Sequence, residues 1–265
     1  MRTILVTGAT GRLGTALLDA FPRDGLTVRA MSRRPRSSAG AEWRTADLTT
    51  GEGVAPAVAG ADTIVHLASA PYKGRYTGRV ELDGTRRLLA AARECGVRHL
   101  VYLSIVGVDR VPWGYFRTKV MAEELVRQGG VPWTIMRVTQ FHEFVDQALR
   151  GMARLPFLLA DPGITAQPVD VRDVAGALLS LVADGPAGEI REYGGPEVLD
   201  VDTTLGAWRR ARGVRRPVLR VRLPGRLGRA FRAGHLTTGA RPSGTITWAD
   251  YLAGSGGAGR GHGGR

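Results

Sequence analysis

Four absences narrow what this chain of 265 residues can be. It has a single cysteine, Cys95, which excludes an internal disulfide and a multi-cysteine metal centre, so no metal site is expected. Cys95 ends the helical pattern Arg86-Arg-Leu-Leu-Ala-Ala-Ala-Arg-Glu-Cys95, where a small buried side chain is the expected role. No run of about 18 apolar residues occurs, so no membrane span is expected. A strand-like segment begins almost at Met1, which leaves no stretch with the pattern of a secretory leader and gives a cytoplasmic expectation. Lysine is scarce: only Lys73 and Lys119 among 37 basic residues. Acidic residues are missing between Arg209 and Arg232, where ten arginines supply most of the net charge of +13. Such a block attracts nucleic acid, an anionic membrane surface or an anionic substrate, or it is the solvated face of an arginine-rich chain.

What is present begins at residue 4. Ile4-Leu-Val-Thr-Gly-Ala-Thr-Gly-Arg-Leu-Gly14 is a short apolar strand running into three glycines and then a helix pattern through Phe21. Ile4, Leu5 and Val6 suit a strand buried on both faces. Gly8 permits a tight turn, Gly11 keeps side-chain atoms away from a pyrophosphate, and Gly14 allows the helix to approach the strand. The following helix aims its N-terminal N–H groups at the loop, which suits an anion. Thr10, Arg12 and Leu13 complete the candidate cofactor loop.

Strand-like and helix-like segments then alternate, as in a parallel α/β sheet. Strands are expected at 26–31, 41–46, 63–68, 99–104 and 133–138, with helices at 54–58, 84–95, 115–128 and 171–183. The fold class is α/β: a Rossmann-type doubly wound parallel sheet with a small C-terminal α+β substrate lobe. One domain is expected over 1–252, its lobe drawn mainly from 140–165 and 185–252. The Gly-rich stretch 253–265 has the composition of a disordered tail.

The second strand ends in Met31-Ser32-Arg33-Arg34 with no acid in reach. An acid there bonds the ribose of NAD, whereas a 2′-phosphate needs positive charge. Arg33 is the candidate phosphate ligand, assisted by Ser32 or Arg34. NADP(H) is therefore the expected cofactor, with NAD(H) left open. Tyr115-Phe-Arg-Thr-Lys119 places a phenol and an ammonium four apart on one helix face. A nearby lysine favours phenolate and lowers the tyrosine toward working pH, so that the phenol can exchange a proton with a carbonyl oxygen. Tyr115 and Lys119 are the catalytic candidates.

Thr7-Gly-Ala-Thr-Gly-Arg-Leu-Gly14 resembles the cofactor loop of the short-chain dehydrogenase/reductase superfamily, and more narrowly its atypical, NmrA-like NAD(P)H-binding branch. Gln167-Pro-Val-Asp-Val-Arg-Asp-Val174 and Gly194-Gly-Pro-Glu197 extend the resemblance over about 1–252. It implies that Asp47 and Leu48 lie beside the adenine ring, that Ala68 lies against the cofactor and that Lys119 holds the nicotinamide ribose. The sequence departs from the superfamily in two places. Ser104 falls short of the usual catalytic serine position, and an asparagine of many relatives stands as Glu81. His66, inside an apolar strand, reads as a core histidine. Tyr72, Trp113, Phe141 and His142 are the substrate-side candidates, and His142 is an alternative proton donor. The expected function is NADPH-dependent reduction of a small carbonyl, enone or quinone-like substrate; the alternative is an NADP(H)-binding sensor without turnover. A small-molecule substrate and a monomer or homodimer are expected.

Overall fold

The computed structural model describes residues 2–22 and 25–255. Its centre is a seven-stranded sheet, every strand pair parallel. In chain order the first elements are β1 (Arg2–Thr7), α1 (Arg12–Ala20), β2 (Leu26–Ser32), β3 (Glu42–Thr45), α2 (Val54–Val58) and β4 (Thr63–His66). A helical stretch follows as α3 (Arg75–Gly78), a π-helical turn over Arg79–Gly84 and α4 (Thr85–Glu94). Then come β5 (His99–Ile105), α5 (Gly114–Gln128), β6 (Trp133–Val138), α6 (His142–Met152), β7 (Leu158–Ala160), β8 (Thr165–Ala166) and α7 (Val171–Asp184). The last are β9 (Ile190–Tyr193), β10 (Leu199–Asp200), α8 (Val201–Arg212), β11 (Val218–Arg220), α9 (Gly225–Arg232) and α10 (Trp248–Ser255).

The sheet order is β3-β2-β1-β4-β5-β6-β9. The direction of travel reverses at β1, so the crevice at the C-terminal ends of β1 and β4 is the topological switch point where doubly wound sheets bind ligands. Alternation along each strand divides the core in two. Leu5, Ile64, Leu100 and Ile135 face α2, α4 and α5. Ile4, Val6, Val65, Val101 and Met136 face α1 and α7.

A third, smaller core forms the lobe from Leu149, Leu158, Leu205, Trp208, Trp248 and Leu252. Two short ladders, β7 with β11 and β8 with β10, lie in it. The lobe reaches beyond its expected end: 253–255 finish α10, and the rest of the expected Gly-rich tail lies outside the described residues. α6 carries its buried residues at His142, Asp146 and Leu149. Asp146 is the hub there, accepting from Trp208 Nε1 (2.6 Å), Arg150 Nε (3.1 Å), Arg212 Nη2 (2.9 Å) and Tyr251 Oη (3.2 Å).

The arginine block is not one free surface. Arg212 pairs with Asp146 (2.9 Å), Arg220 with Asp202 (3.0 Å) and Arg232 with Asp161 (2.6 Å). Among the described residues no helix is long and apolar enough to cross a membrane, and no group of three or more His, Cys, Asp or Glu is placed to hold a metal ion.

Candidate active site

Two connected cavities open at the switch point. Both touch Gly8, Gly11, Leu67, Ala68 and Ser69. The turn between them is fixed by backbone contacts. Gly8 holds φ +67°, and a Cβ on it would lie 2.7 Å from Ala68 N and Leu67 C. A Cβ on Gly14 would lie 2.3 Å from the Gly8 carbonyl oxygen, so α1 rests directly on the turn. A Cβ on Gly11 would meet only that same oxygen, at 3.3 Å. The first helical N–H groups of α1 therefore face the crevice with no side chain over Gly11, a seat whose geometry and sign suit a pyrophosphate.

The cavity on the β2 side, about 270 Å³, is bordered by Thr10, Ser32, Arg33, Asp47, Leu48 and Tyr76. Arg33 Nη1 donates to the Tyr76 hydroxyl at 2.6 Å. Asp47 accepts from Thr49 N and Thr49 Oγ1, both at 2.7 Å. Burial pushes its carboxyl up, but the Thr49 bonds with Arg33 and Arg79 outweigh that and leave it below the usual carboxylate range. Arg79, on the π-helical turn, is a cation the sequence reading missed. Arg34 is exposed and borders neither cavity.

The cavity on the β5–β6 side, about 410 Å³, is bordered by Arg12, Leu13 and Gly14 and walled by Tyr72, Trp113, Tyr115, Phe141 and Phe144. Tyr72 packs on both Trp113 (centroids 5.5 Å apart) and Tyr115 (5.3 Å). His142 is not in this wall. It is fully buried behind Phe141, against Trp248 and Tyr251, and burial lowers its imidazole. The expectation that His142 faces substrate is thus corrected: it is the first residue of α6 and turns into the lobe core.

Under the floor lies a polar network centred on Glu81, 1% exposed. Lys119 Nζ donates to Tyr102 Oη (2.6 Å), Leu103 O (2.7 Å) and Glu81 Oε2 (3.4 Å), so all three of its N–H bonds are engaged. It also lies over the Tyr102 ring, 4.1 Å from the centroid. Ser69 Oγ donates to Glu81 Oε1 at 2.5 Å. The Tyr115 hydroxyl lies 2.8 Å from Ser69 Oγ and 3.3 Å from Glu81 Oε1. A carboxylate only accepts, so Ser69 gives its one proton to Glu81 and accepts the proton of Tyr115.

Burial raises the Glu81 carboxyl, but Lys119 and the Ser69 bond prevail and hold it below its ordinary range. Burial and then Glu81 push the Tyr115 phenol well up. This corrects the expected pairing. Tyr115 and Lys119 do share a helix face, but Glu81 stands between them and opposes phenolate. Ser104 is in phase with Leu100 and Tyr102 on β5 and faces α5, where it donates to Glu123. Glu123 in turn binds Arg137 through Nε (3.0 Å) and Nη2 (2.7 Å). His66 is neutral and satisfied, Nδ1 at 2.7 Å from Thr7 Oγ1 and Nε2 at 3.1 Å from Thr85 Oγ1.

Residues 8–185 match the family described as NAD(P)H-binding. The chain belongs to that family. A reductase of Streptomyces griseus, (4-alkanoyl-5-oxo-2,5-dihydrofuran-3-yl)methyl phosphate reductase, is 32% identical over 210 residues, covering 74% of this chain and 69% of its own. Photosystem II assembly factor Ycf39 of Cyanophora paradoxa is 30% identical over 165 residues, and the match spans 59% of this chain and half of that relative's length. Among solved structures, the NADPH-dependent quinone oxidoreductase QOR2 of Escherichia coli, complexed with NADPH, superposes with TM-score 0.78 at 18% identity over 95% of this chain and 99% of that one. At that identity the likeness shows the fold alone. A short-chain dehydrogenase/reductase superfamily protein of Agrobacterium tumefaciens with bound NAD superposes with TM-score 0.73 at 25% identity, over 96% of each chain. The resemblance to the short-chain dehydrogenase/reductase superfamily is borne out, and the NAD(P)H-binding domain has the glycine seat that a dinucleotide requires.

Proposed function

We propose that this NAD(P)H-binding chain is an oxidoreductase, with NADP(H) preferred, that reduces a flat conjugated acceptor of the quinone or enone class. The observation that carries the reading is the setting of the Tyr115 hydroxyl, 2.8 Å from Ser69 Oγ and 3.3 Å from the Glu81 carboxylate, which engages its proton away from an acceptor. The reduced dinucleotide supplies hydride. Reduction of a simple ketone leaves an alkoxide, a base about as strong as hydroxide, and calls for a well-placed acid. Reduction of a quinone leaves a phenolate-type anion with a conjugate acid near ~10, which persists without one. The aromatic walls from Tyr72, Trp113 and Phe141 match a flat ring. The Streptomyces relative, named as a reductase, supports the reaction type.

In this reading Arg33 and Ser32 hold the 2′-phosphate, Asp47 and Leu48 border the adenine, and Tyr115 stays neutral as a wall of the acceptor site. Lys119 reaches the nicotinamide ribose by exchanging one of its present partners. The test is NADPH oxidation by the full chain with p-quinones, enones and aliphatic ketones. Quinones should turn over roughly a hundredfold faster than aliphatic ketones, the range an effective general acid would otherwise supply. Preferred turnover of aliphatic ketones would refute the reading. A second reading, a sensor that binds NADP(H) without turnover, is favoured by the engaged Lys119 and by Ser104, whose hydroxyl proton is given to Glu123. Tight NADPH binding with no turnover of any acceptor would establish it.

A further inference from the structure

One side chain at the phosphate seat has the wrong sign for it. Glu143, in the first turn of α6, borders the acceptor cavity and also the outer groove beyond Arg12, between α1 and the start of α7. Both spaces share the Gly11–Arg12 step, so Glu143 stands beside the turn on which the pyrophosphate is seated. Its Oε1 lies 4.0 Å from Arg12 Nη1, while its Oε2 is buried with no hydrogen-bond partner. The charged groups around it are Arg12 from α1 and Asp170 and Arg172 from the start of α7, with Asp19 farther along the groove. Arg172 is held by Asp170 through Nε (2.8 Å) and Nη2 (3.0 Å), and the nearby carboxylate of Asp170 repels a charge on Glu143. Arg12, three-quarters exposed, is the cation free to move.

We propose that the Arg12–Glu143 contact latches the phosphate-binding turn and that the dinucleotide enters by exchange: Arg12 passes from Glu143 to the pyrophosphate, and Glu143 takes up a proton from solvent. The proposal rests on the family's cofactor and not on the reaction. Three charges decide it. An ionised Glu143 beside a pyrophosphate repels it in a partly dry site, where screening is weak. Removal of Arg12 withdraws the counterion that favours the carboxylate, and the phosphate adds a second like charge. Burial already pushes the Glu143 carboxyl up before any ligand arrives. Binding is thus coupled to protonation: it is strongest where Glu143 is neutral and weakens as rising pH ionises it in the free protein. Each unit between the free and bound values of such a group changes affinity about tenfold.

The experiment is calorimetric titration of NADPH into the full chain and its Glu143→Gln variant, at about pH 6 and about pH 8, in two buffers of different ionisation enthalpy. The comparison between proteins cancels protonation of the cofactor's own phosphates. The wild type should take up more protons than the variant, and the variant should bind about tenfold more tightly at the higher pH, with a narrower gap at the lower. If Glu143→Gln does not fold, Glu143→Ala replaces it. Equal proton uptake and equal pH slopes would overturn the latch. So would weaker binding by the variant at the higher pH, which would make Glu143 a direct ligand of the cofactor. If no protein binds NADPH or NADH at either pH, the cofactor assignment fails and the latch with it.

Discussion

The glycine turn at which the two cavities meet and the polar network on the β5–β6 side are built by different means. The turn is made by consecutive residues: a strand end, a turn and a helix start, held by backbone close approach. The β5–β6 side is made by five side chains from four distant places. Ser69 follows β4, Glu81 sits on a π-helical turn, Tyr102 is on β5, and Tyr115 and Lys119 are on α5. The first end is specified locally and tolerates no atom added to the backbone contact. The second is specified by a charge balance in a dry site and tolerates no single deletion. The two ends therefore differ in how they break.

The largest effect on cofactor binding belongs to the backbone end. Gly14→Ala puts a methyl 2.3 Å from Gly8 O and 2.7 Å from Ala9 Cα, both backbone atoms that cannot turn aside. α1 must lift from the turn, and dinucleotide binding should fall by more than about a hundredfold, roughly 3 kcal/mol. Gly176→Ala on α7 is the control, because its Cβ meets nothing within 4 Å. It should bind normally and gain up to about 1 kcal/mol in unfolding free energy from helix propensity. Calorimetry and denaturant melts of both variants read the contrast; normal binding by Gly14→Ala would break it.

At the side-chain end the expected failure is one of charge. Lys119 and Glu81 are almost wholly buried, with side-chain exposures of 4% and 1%. Lys119→Met leaves Glu81 without its cation and should destabilise the fold by about 3–5 kcal/mol. Glu81→Gln combined with Lys119→Met removes both charges and should recover most of that loss. Denaturant melts of the single and double variants check it. A double variant no better than the single would mean that hydrogen-bond geometry, not charge balance, holds this end together.

That difference also explains what was legible in the chain. The sheet, its helices and the glycine turn follow from local apolar runs, alternation and spacing, so Ile4 to Gly14 predicts its own structure. α6 does not, because its buried face is His142, Asp146 and Leu149, and two polar residues of three hide the helical stripe. His142 is hidden for the same reason: a polar residue after β6 reads as a site residue unless the core of the lobe is known. The Glu81 network joins residues up to 50 positions apart. Glu81 stood out only as a departure from an asparagine; that it receives Ser69, Tyr115 and Lys119 follows from the π-helical turn, which no local pattern announces.

His66 sits where the two ends join, bonded to Thr7 at the glycine turn and to Thr85 behind Glu81. Burial first, and then the Lys119 charge, lower its imidazole from 6.5 to about 4. The unfolded chain binds this proton near 6.5 and the native fold only near 4, so its contribution is complete above the unfolded value and is lost as pH falls between the two. The loss should be on the order of 3 kcal/mol at its fullest. His66→Gln keeps a polar bond without titrating and should reduce the slope of the stability profile over that interval, His99, lowered by burial to about 4, carrying the rest; an unchanged slope would assign the acid sensitivity to other groups.

The smallest effect tests the one side-chain decision made at the backbone end. Arg33 borders the β2-side cavity beside Ser32 and is braced by the Tyr76 hydroxyl at 2.6 Å. It is an exposed residue, so its pull on a 2′-phosphate works against water and salt. Asp47 faces the same cavity and is already partly balanced by Arg33 and Arg79. In the proposed reading Arg33→Ala removes the contact that separates the two cofactors and leaves the glycine seat intact. NADPH should bind the wild type about tenfold more tightly than NADH, close to 1.4 kcal/mol, and the variant should lose most of that gap while NADH affinity stays level. Parallel titrations with both dinucleotides at two salt concentrations decide it. A gap that survives Arg33→Ala and vanishes in Arg79→Ala would move the 2′-phosphate contact to the π-helical turn, placing cofactor choice on the same segment that carries Glu81.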